Sequence, residues 1–307
     1  MLSLRYIQEI YTEEINRTII DIMKNEKCEV IAYWLMGKKF CNSVINDYKN
    51  IDTIIQAIKE IEDDPTCPNV GRFSHPNENG ELQLDAAYME GDGKVGAVIE
   101  TSHIVNPIEV AYSLSKFNKN IVLASSGADA YAIKNGFKTK EKLEICEEDK
   151  EQLSHDTFGV IQLIDGHFKV LITTSGTKGK TLGRVGDTPL VGSGFYCEDG
   201  CGACVATGDG EACLRSVMAK EVVDRLVFGE SIEGICKRVL DKGLAKLDYK
   251  ATLSLVAVDK DGHFDSASTF EVFPFSFINK GIIYNRYLYQ DKEYEEDDRL
   301  QKLYHGD

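Results

Sequence analysis

Two stretches of this chain repeat one design, and that design narrows the folds open to it. Residues 158–174 and 253–268 each read as two β-strands joined by an Asp-Gly turn, Asp165-Gly166 in the first and Asp261-Gly262 in the second. Between them lie a Gly-rich loop and two long amphipathic helices, expected over about 211–228 and 231–247. Helices gathered between runs of antiparallel strands have to bury their apolar faces on sheets. The pattern therefore implies an α+β architecture, layered, with sheets inside and helices outside.

The earlier part of the chain agrees. A strand is expected over 29–34, and a helix over 51–61 that Asp63-Asp64-Pro65 ends. A loop rich in Pro, Asn and Gly follows over 65–80. A hairpin over 84–90 and 95–101 turns at Gly91-Asp92-Gly93. Asn106-Pro107 opens a helix to about 118, before a strand at 120–124 that reads as buried. Residues 1–25 interleave Ile and Tyr with charged residues, as a surface amphipathic helix would. The charge-rich stretch 138–154 reads as a solvated linker, and the polar, acidic tail 284–307 is expected to pack weakly.

With 35 Lys and Arg against 50 Asp and Glu, the formal charge is −15, so the surface repels phosphate backbones and anionic lipid. Neither nucleic acid nor a membrane is an expected partner. No segment approaches the roughly 18–20 apolar residues of a membrane span, and residues 1–25 lack the unbroken apolar run of a signal peptide. Nine cysteines, an odd number, lie scattered without the density of a disulfide framework. Free thiols and a cytoplasmic location are expected.

Several motifs invite chemistry. Gly179-Lys180-Thr181 resembles the end of a phosphate loop, but that pattern needs Gly where Thr174 stands, so the turn that wraps amides around phosphate is missing. Cys197, Cys201 and Cys204 could supply thiolates to a metal, although their spacing fits no zinc or iron-sulfur pattern and small buried thiols explain them as well. No His pair has metal-ligand spacing; His167 and His263 each follow an Asp-Gly turn and read as exposed hairpin residues. No metal or cofactor is expected. The informative place is His155-Asp156-Thr157, where an acidic linker meets the first residue of an apolar strand. A cut between Asp156 and Thr157 would give Thr157 a hydroxyl nucleophile beside a free α-amine, whose pKa near ~8 suits a general base. From these residues alone, Thr157 reads as an ordinary β-branched strand starter.

His155-Asp156-Thr157-Phe158-Gly159 resembles the junction of the glycosylasparaginases, the Thr-dependent branch of the N-terminal nucleophile hydrolases. Thr173-Thr174-Ser175-Gly176, Gly183-Arg184-Val185-Gly186-Asp187-Thr188-Pro189, Gly192-Ser193-Gly194 and Ala206-Thr207-Gly208-Asp209-Gly210 match that family's blocks in order and nearly in spacing. Weaker similarity runs over 84–137 and 268–277. The resemblance implies a four-layer αββα sandwich and an amidohydrolase that acts on the β-amide of a substituted asparagine, such as N4-(β-N-acetylglucosaminyl)-L-asparagine. It implies self-cleavage at Asp156–Thr157, assisted by His155 and Asp156, and commonly a homodimer of the cleaved two-chain unit. On this reading 1–27 is an N-terminal helical extension, while 28–156 and 157–307 form the two chains of one hydrolase domain.

Residue roles follow from the same resemblance. Thr157 is the nucleophile and base, and Thr174 orients its hydroxyl. Arg184 offers a planar fork to the substrate's α-carboxylate and Asp187 an anion to its α-ammonium. Thr207 and the Gly208 N–H hold the oxyanion, and Trp34 forms a pocket wall. An L-asparaginase or isoaspartyl dipeptidase would use the same set. Ala206 and His155-Asp156 favour the glycosylasparaginase side, whereas Gly71-Arg72-Phe73-Ser74-His75-Pro76 departs from the family's usual Gly-Gly loop.

Overall fold

A computed structural model describes residues 26–67, 69–143, 157–289 and 292–295. The helix expected over 1–25, most of the charged stretch 138–154, and His155 and Asp156 lie outside the described residues. The first hairpin forms as its sequence dictates. β5 (Phe158–Ile164) and β6 (His167–Thr174) pair antiparallel, and Asp165 and Gly166 both take positive φ, 51° and 82°, the combination that matches a tight turn to strand twist.

The other side of β5 is taken by β1 (Val30–Tyr33), also antiparallel. β1 continues the sheet through β11 (Phe273–Asn279), β12 (Ile282–Tyr289) and β13 (Lys292–Glu295). β6 continues it through β2 (Leu84–Glu90), β3 (Val95–Thr101) and the short parallel β4 (Val122–Ala124). A second sheet has the order β10-β9-β8-β7, built from β7 (Phe195–Glu198), β8 (Gly202–Gly208), β9 (Leu253–Asp259) and β10 (Phe264–Ser268).

Side chains that alternate along a strand point to opposite faces, and here both faces of the large sheet are covered. Val30 and Ala32 of β1 join Phe158 and Val160 of β5 in a core with α1 (Leu35–Val44), α2 (Ile51–Glu62) and α3 (Pro107–Leu114). Ile31 and Tyr33 face the other way and meet Phe195, Val205 and Val256 of the second sheet. Ala206, Leu255 and Ala257, on that sheet's far side, pack on α5 (Gly210–Ser216), α6 (Met218–Val227) and α7 (Ile235–Leu244). α4 (Ser125–Lys134) flanks β3 and β4. The α+β expectation holds.

Four local readings change. The helix expected over 211–228 is two helices, because Val217 adopts the left-handed conformation with φ 50°. β4 is an edge strand whose first and last residues are exposed. The start of the charged stretch is tied down: Lys140 N–H donates to the His103 carbonyl, and Leu143 is buried with Leu82, Leu84 and Val105. The tail packs far more than its polarity suggests, since β12 pairs with β11 from Ile282 to Leu288 and buries Arg286, whose Nη2 meets Glu26 at 2.6 Å.

Gly96 on β3 lies directly beneath α3, where a Cβ would press on the Ala111 carbonyl and come within 2.5 Å of Ser115 N. Gly96→Ala is expected to cost about 1–3 kcal/mol, read as a lower urea midpoint at unchanged slope. A midpoint equal to that of the parent protein would mean that α3 does not rest on the strand.

Candidate active site

Antiparallel pairing decides where the site forms. β5 begins just after Thr157, and both its neighbours run against it, so the start of β5 lies beside the ends of β1 and β6; Phe158 pairs with Thr173 and Val160 with Ala32. The end of β8 approaches the same point from the second sheet. Thr157 N–H donates to Thr207 Oγ1 at 3.3 Å, and Trp34 Nε1–H donates to the same oxygen at 3.2 Å. Trp34 is the strand's exit residue, held with φ 62° while its ring packs edge-on against Phe270 and Phe273. It braces Thr207 rather than lining the cavity.

That cavity is lined by Thr157, Thr174, Arg184, Asp187, Thr188 and Gly208, together with Gly176, Thr177 and Gly186. The free space between them is ≈ 10 Å³, enough for about one water. Among the described residues the site is a narrow slot. Thr157 is buried and its Oγ1 lies 3.1 Å from Thr188 Oγ1, with either hydroxyl able to donate. Thr174 shares the slot, but its hydroxyl accepts the Gly176 N–H at 3.0 Å. Thr188, not Thr174, makes the hydroxyl contact to Thr157.

Arg184 donates from Nε and Nη2 to Glu211 at 2.9 and 2.7 Å, a bidentate pair that grips one edge of the guanidinium. The fork fits because two neighbours lack side chains: a Cβ on Gly186 would stand 2.9 Å from Nη1, and one on Gly210 2.8 Å from Nη2. Asp187 is buried beside it, and its Oδ2 meets no hydrogen-bond donor among the described residues. Burial raises the Asp187 carboxyl to about 6, with the Arg184 charge opposing that rise. Gly208 takes φ 114°, and a Cβ there would collide with the Thr252 carbonyl.

Behind the slot is a second charged group. Asp85 on β2 is the register partner of Thr174, and Lys180 enters beside it with its side chain 2% exposed. Lys180 Nζ donates to Glu100 Oε1 at 2.7 Å and to the Gln83 carbonyl at 3.2 Å, and lies 3.9 Å from Asp85 Oδ2. Asp85 Oδ1 accepts the Glu100 N–H at 2.8 Å, and burial raises its carboxyl to about 6. The phosphate-loop lysine is thus committed to carboxylates. The loop it belongs to is laced to residues 69–83, through Ser175 N–H to Asn69 O, Gly179 N–H to Pro76 O and Glu78 N–H to Lys180 O.

The thiols do not gather. Cys197 faces the core between the sheets and Cys204 the opposite, helix-covered face, so the three-cysteine reading fails on strand alternation. Among the described residues, the one group of three metal-type ligands is Asp259, Asp261 and His263 in the β9–β10 turn. There Asp259 Oδ1 already accepts the N–H groups of Asp261 and His263. His167, by contrast, is exposed as expected and pairs with Asp199. Sequence reasoning missed the roles of Thr188, which lay inside a matched block, and of Glu211, one residue beyond another.

A family model described as Asparaginase matches residues 38–157 and 140–281. The chain belongs to the asparaginase family. It is 34% identical over 210 residues to an N(4)-(Beta-N-acetylglucosaminyl)-L-asparaginase of Elizabethkingia miricola, a match covering 63% of this chain and 62% of that one. It is 31% identical over 254 residues to an Isoaspartyl peptidase/L-asparaginase of Bos taurus, covering 76% and 82%, and 30% identical to that of Macaca fascicularis over 253 residues, covering 76% and 81%. Arg184 and Asp187 line one slot with Thr157 and Thr174, and Thr207 meets that slot through the Thr157 N–H.

Asp85 and Asp187 set a pH dependence of stability with an unusual sign. Each holds a proton more tightly folded than unfolded, so each favours folding below about pH 4, and that contribution is lost as pH rises through about 6. Asp85→Asn should therefore gain on the parent protein between pH 4 and 7, by up to about 3 kcal/mol. Unfolding free energies from urea titrations at several pH values measure it, and a pH-independent difference would refute it. Lys180→Met, which strands two buried carboxylates, should cost about 3–5 kcal/mol.

Proposed function

We propose that the chain is a self-activating amidohydrolase that cuts itself between Asp156 and Thr157 and then hydrolyses the β-amide of a substituted asparagine. The observation that carries this reading is that Thr157, whose N–H meets Thr207 Oγ1, lines one slot together with Arg184, Asp187 and Gly208. In the self-cleavage step Thr157 Oγ attacks the Asp156 carbonyl carbon and the peptide C–N bond breaks. The hydroxyl proton ends on the Thr157 nitrogen, and water then hydrolyses the ester, with His155 and Asp156 assisting. The new amine completes the machinery.

In turnover the Thr157 amine takes the hydroxyl proton while Oγ attacks the substrate's β-carbonyl. Thr207 and the Gly208 N–H hold the oxyanion, an arrangement worth about 3–4 kcal/mol per good donor. The amine returns its proton to the departing nitrogen, and water frees aspartate from the β-aspartyl ester. Arg184 receives the α-carboxylate on its Nη1 side, the side nearest the slot-lining Gly176 and Gly186, while Glu211 keeps the opposite edge. Asp187, with its vacant Oδ2, receives the α-ammonium. Thr174 steadies the turn at Gly176, and Trp34 keeps Thr207 aimed.

For the leaving group, N4-(β-N-acetylglucosaminyl)-L-asparagine is the favoured substrate, supported by the E. miricola relative and by His155-Asp156 and Ala206. An isoaspartyl dipeptide or asparagine itself is the second reading, supported by the fuller coverage of the bovine relative. Three apolar interfaces, helix on sheet, sheet on sheet and sheet on helix, support a four-layer αββα sandwich of the N-terminal nucleophile hydrolase type. The β1 and β2–β4 strands precede the cut and β5–β13 follow it, which supports one domain made of chains 28–156 and 157–307, with 1–27 as an extension. We propose a homodimer of that unit, acting in the cytoplasm, where free thiols such as Cys204 and Cys213 are stable.

On a denaturing gel the matured protein should run as two bands of roughly 17 kDa each, with Thr-Phe-Gly at one new N-terminus. Thr157→Ala should stay at full length and turn nothing over. Arg184→Ala should still cut but bind substrate about 100-fold more weakly, the cost of removing a charged partner. Full activity from an uncut chain would overturn the proposal.

A further inference from the structure

We propose that the Thr188 hydroxyl positions the Thr157 hydroxyl for self-cleavage, the step at which Thr157 has no amine of its own. This rests on the reading above, in which the intact chain cuts itself. Before the cut, the Thr157 nitrogen is an amide. Its lone pair is delocalised into the carbonyl and its N–H is given to Thr207 Oγ1 at 3.3 Å, so it can neither accept the hydroxyl proton nor steer the hydroxyl. Thr174 Oγ1 accepts the Gly176 N–H and makes no hydrogen bond to Thr157 among the described residues. Among the described residues, the remaining partner of Thr157 Oγ1 is Thr188 Oγ1 at 3.1 Å.

Thr188 is well placed for this because its backbone is fixed from two sides. Gly194 packs so close that a Cβ there would fall 2.6 Å from the Asp187 carbonyl oxygen and 2.9 Å from Thr188 Cα. Gly194 is itself tied to β8 by the Ala206 N–H at 2.8 Å, and Leu190 N–H closes the turn onto Asp187 O at 3.0 Å. Thr188 is 1% exposed, so its hydroxyl is shielded from bulk water. The hydrogen bond between the two hydroxyls selects one rotamer of the nucleophile. In the acyl shift the Oγ–C bond forms as C–N breaks, and the proton leaving Oγ ends on the Thr157 nitrogen; Thr188 orients and gains no proton overall. After the cut the amine, attached to the same residue, shares the task.

The consequence is an unequal loss. Thr188→Val keeps shape and removes the hydroxyl, and should slow the disappearance of intact chain about tenfold or more in a time course after synthesis. The turnover of chains that have finished cutting should fall by a smaller factor. Thr188→Ser should recover cutting to within about threefold of the parent rate. Cutting by Thr188→Val at the parent rate, equal losses in cutting and turnover, or a Ser variant as slow as Val would each overturn the assignment. Should the Val variant not fold, Thr188→Ala against Thr188→Ser gives the same comparison, since they differ only in the hydroxyl. If the parent protein itself never cuts, the self-cleavage reading fails whatever the variants do.

Discussion

Two hydrogen bonds between the sheets hold the site in register. Tyr33 donates its hydroxyl to the Ala206 carbonyl at 3.2 Å, and the next residue, Trp34, donates to the side chain of the next residue, Thr207, at 3.2 Å. Consecutive residues of the central strand thus grip consecutive residues of the second sheet. Gly159 makes this possible, because a Cβ there would stand 2.5 Å from the Tyr33 hydroxyl. Packing between two apolar sheets is non-directional and tolerates small slides. These two bonds are directional, and they fix Thr207 against the start of β5 to within hydrogen-bond tolerance.

The loop from residue 175 to 184 needs an equivalent anchor, since it carries Arg184 yet has no regular structure of its own. Lys180 supplies one by reaching through the sheet edge to Glu100 and Asp85. A buried cation among carboxylates is an inefficient source of stability, because desolvation consumes most of the attraction. What it supplies here is a unique position: an apolar side chain could seat in several ways, whereas Nζ has one arrangement that meets Glu100 Oε1 and the Gln83 carbonyl together. Glu100 accepts a left-handed backbone, φ 54°, with its N–H on Asp85.

The parts of this architecture legible in the sequence are those set by short-range rules. The Asp165-Gly166 and Asp261-Gly262 turns, the two-residue alternation of the strands they join and the matched blocks at Thr157, Thr174, Arg184, Asp187 and Thr207 all lie within a few residues of chain. What escaped depends on distant partners. The break at Val217 carries no Gly or Pro to announce it, and the polar β12 is a strand because β11 offers an unpaired edge. Thr188 sat in plain view inside a matched block, but that its hydroxyl, and not that of Thr174, meets Thr157 depends on how β8 and Gly194 press on its turn. The cysteines illustrate the same limit, since closeness in sequence puts Cys197 and Cys204 on opposite faces of one sheet, where they are the small buried thiols favoured over a metal site.

The two groups proposed to read the amino-acid end are prepared in opposite ways. Arg184 stands compensated by Glu211, so the empty slot holds no unpaired cation. Asp187 has no such resident partner for Oδ2, and burial penalises its charged form, which raises its carboxyl to about 6. An ammonium arriving at Asp187 stabilises the anion and drives that proton off, whereas a carboxylate arriving at Arg184 needs no proton to move. Binding is then coupled to proton release at Asp187, and a zwitterion with both charges on one carbon meets the unpartnered Oδ2 as well as Arg184, which removes the least favourable electrostatic feature of the slot. A molecule with only the carboxylate would leave that feature in place, which is a physical ground for selecting free amino-acid ends in a protein whose overall charge is strongly negative.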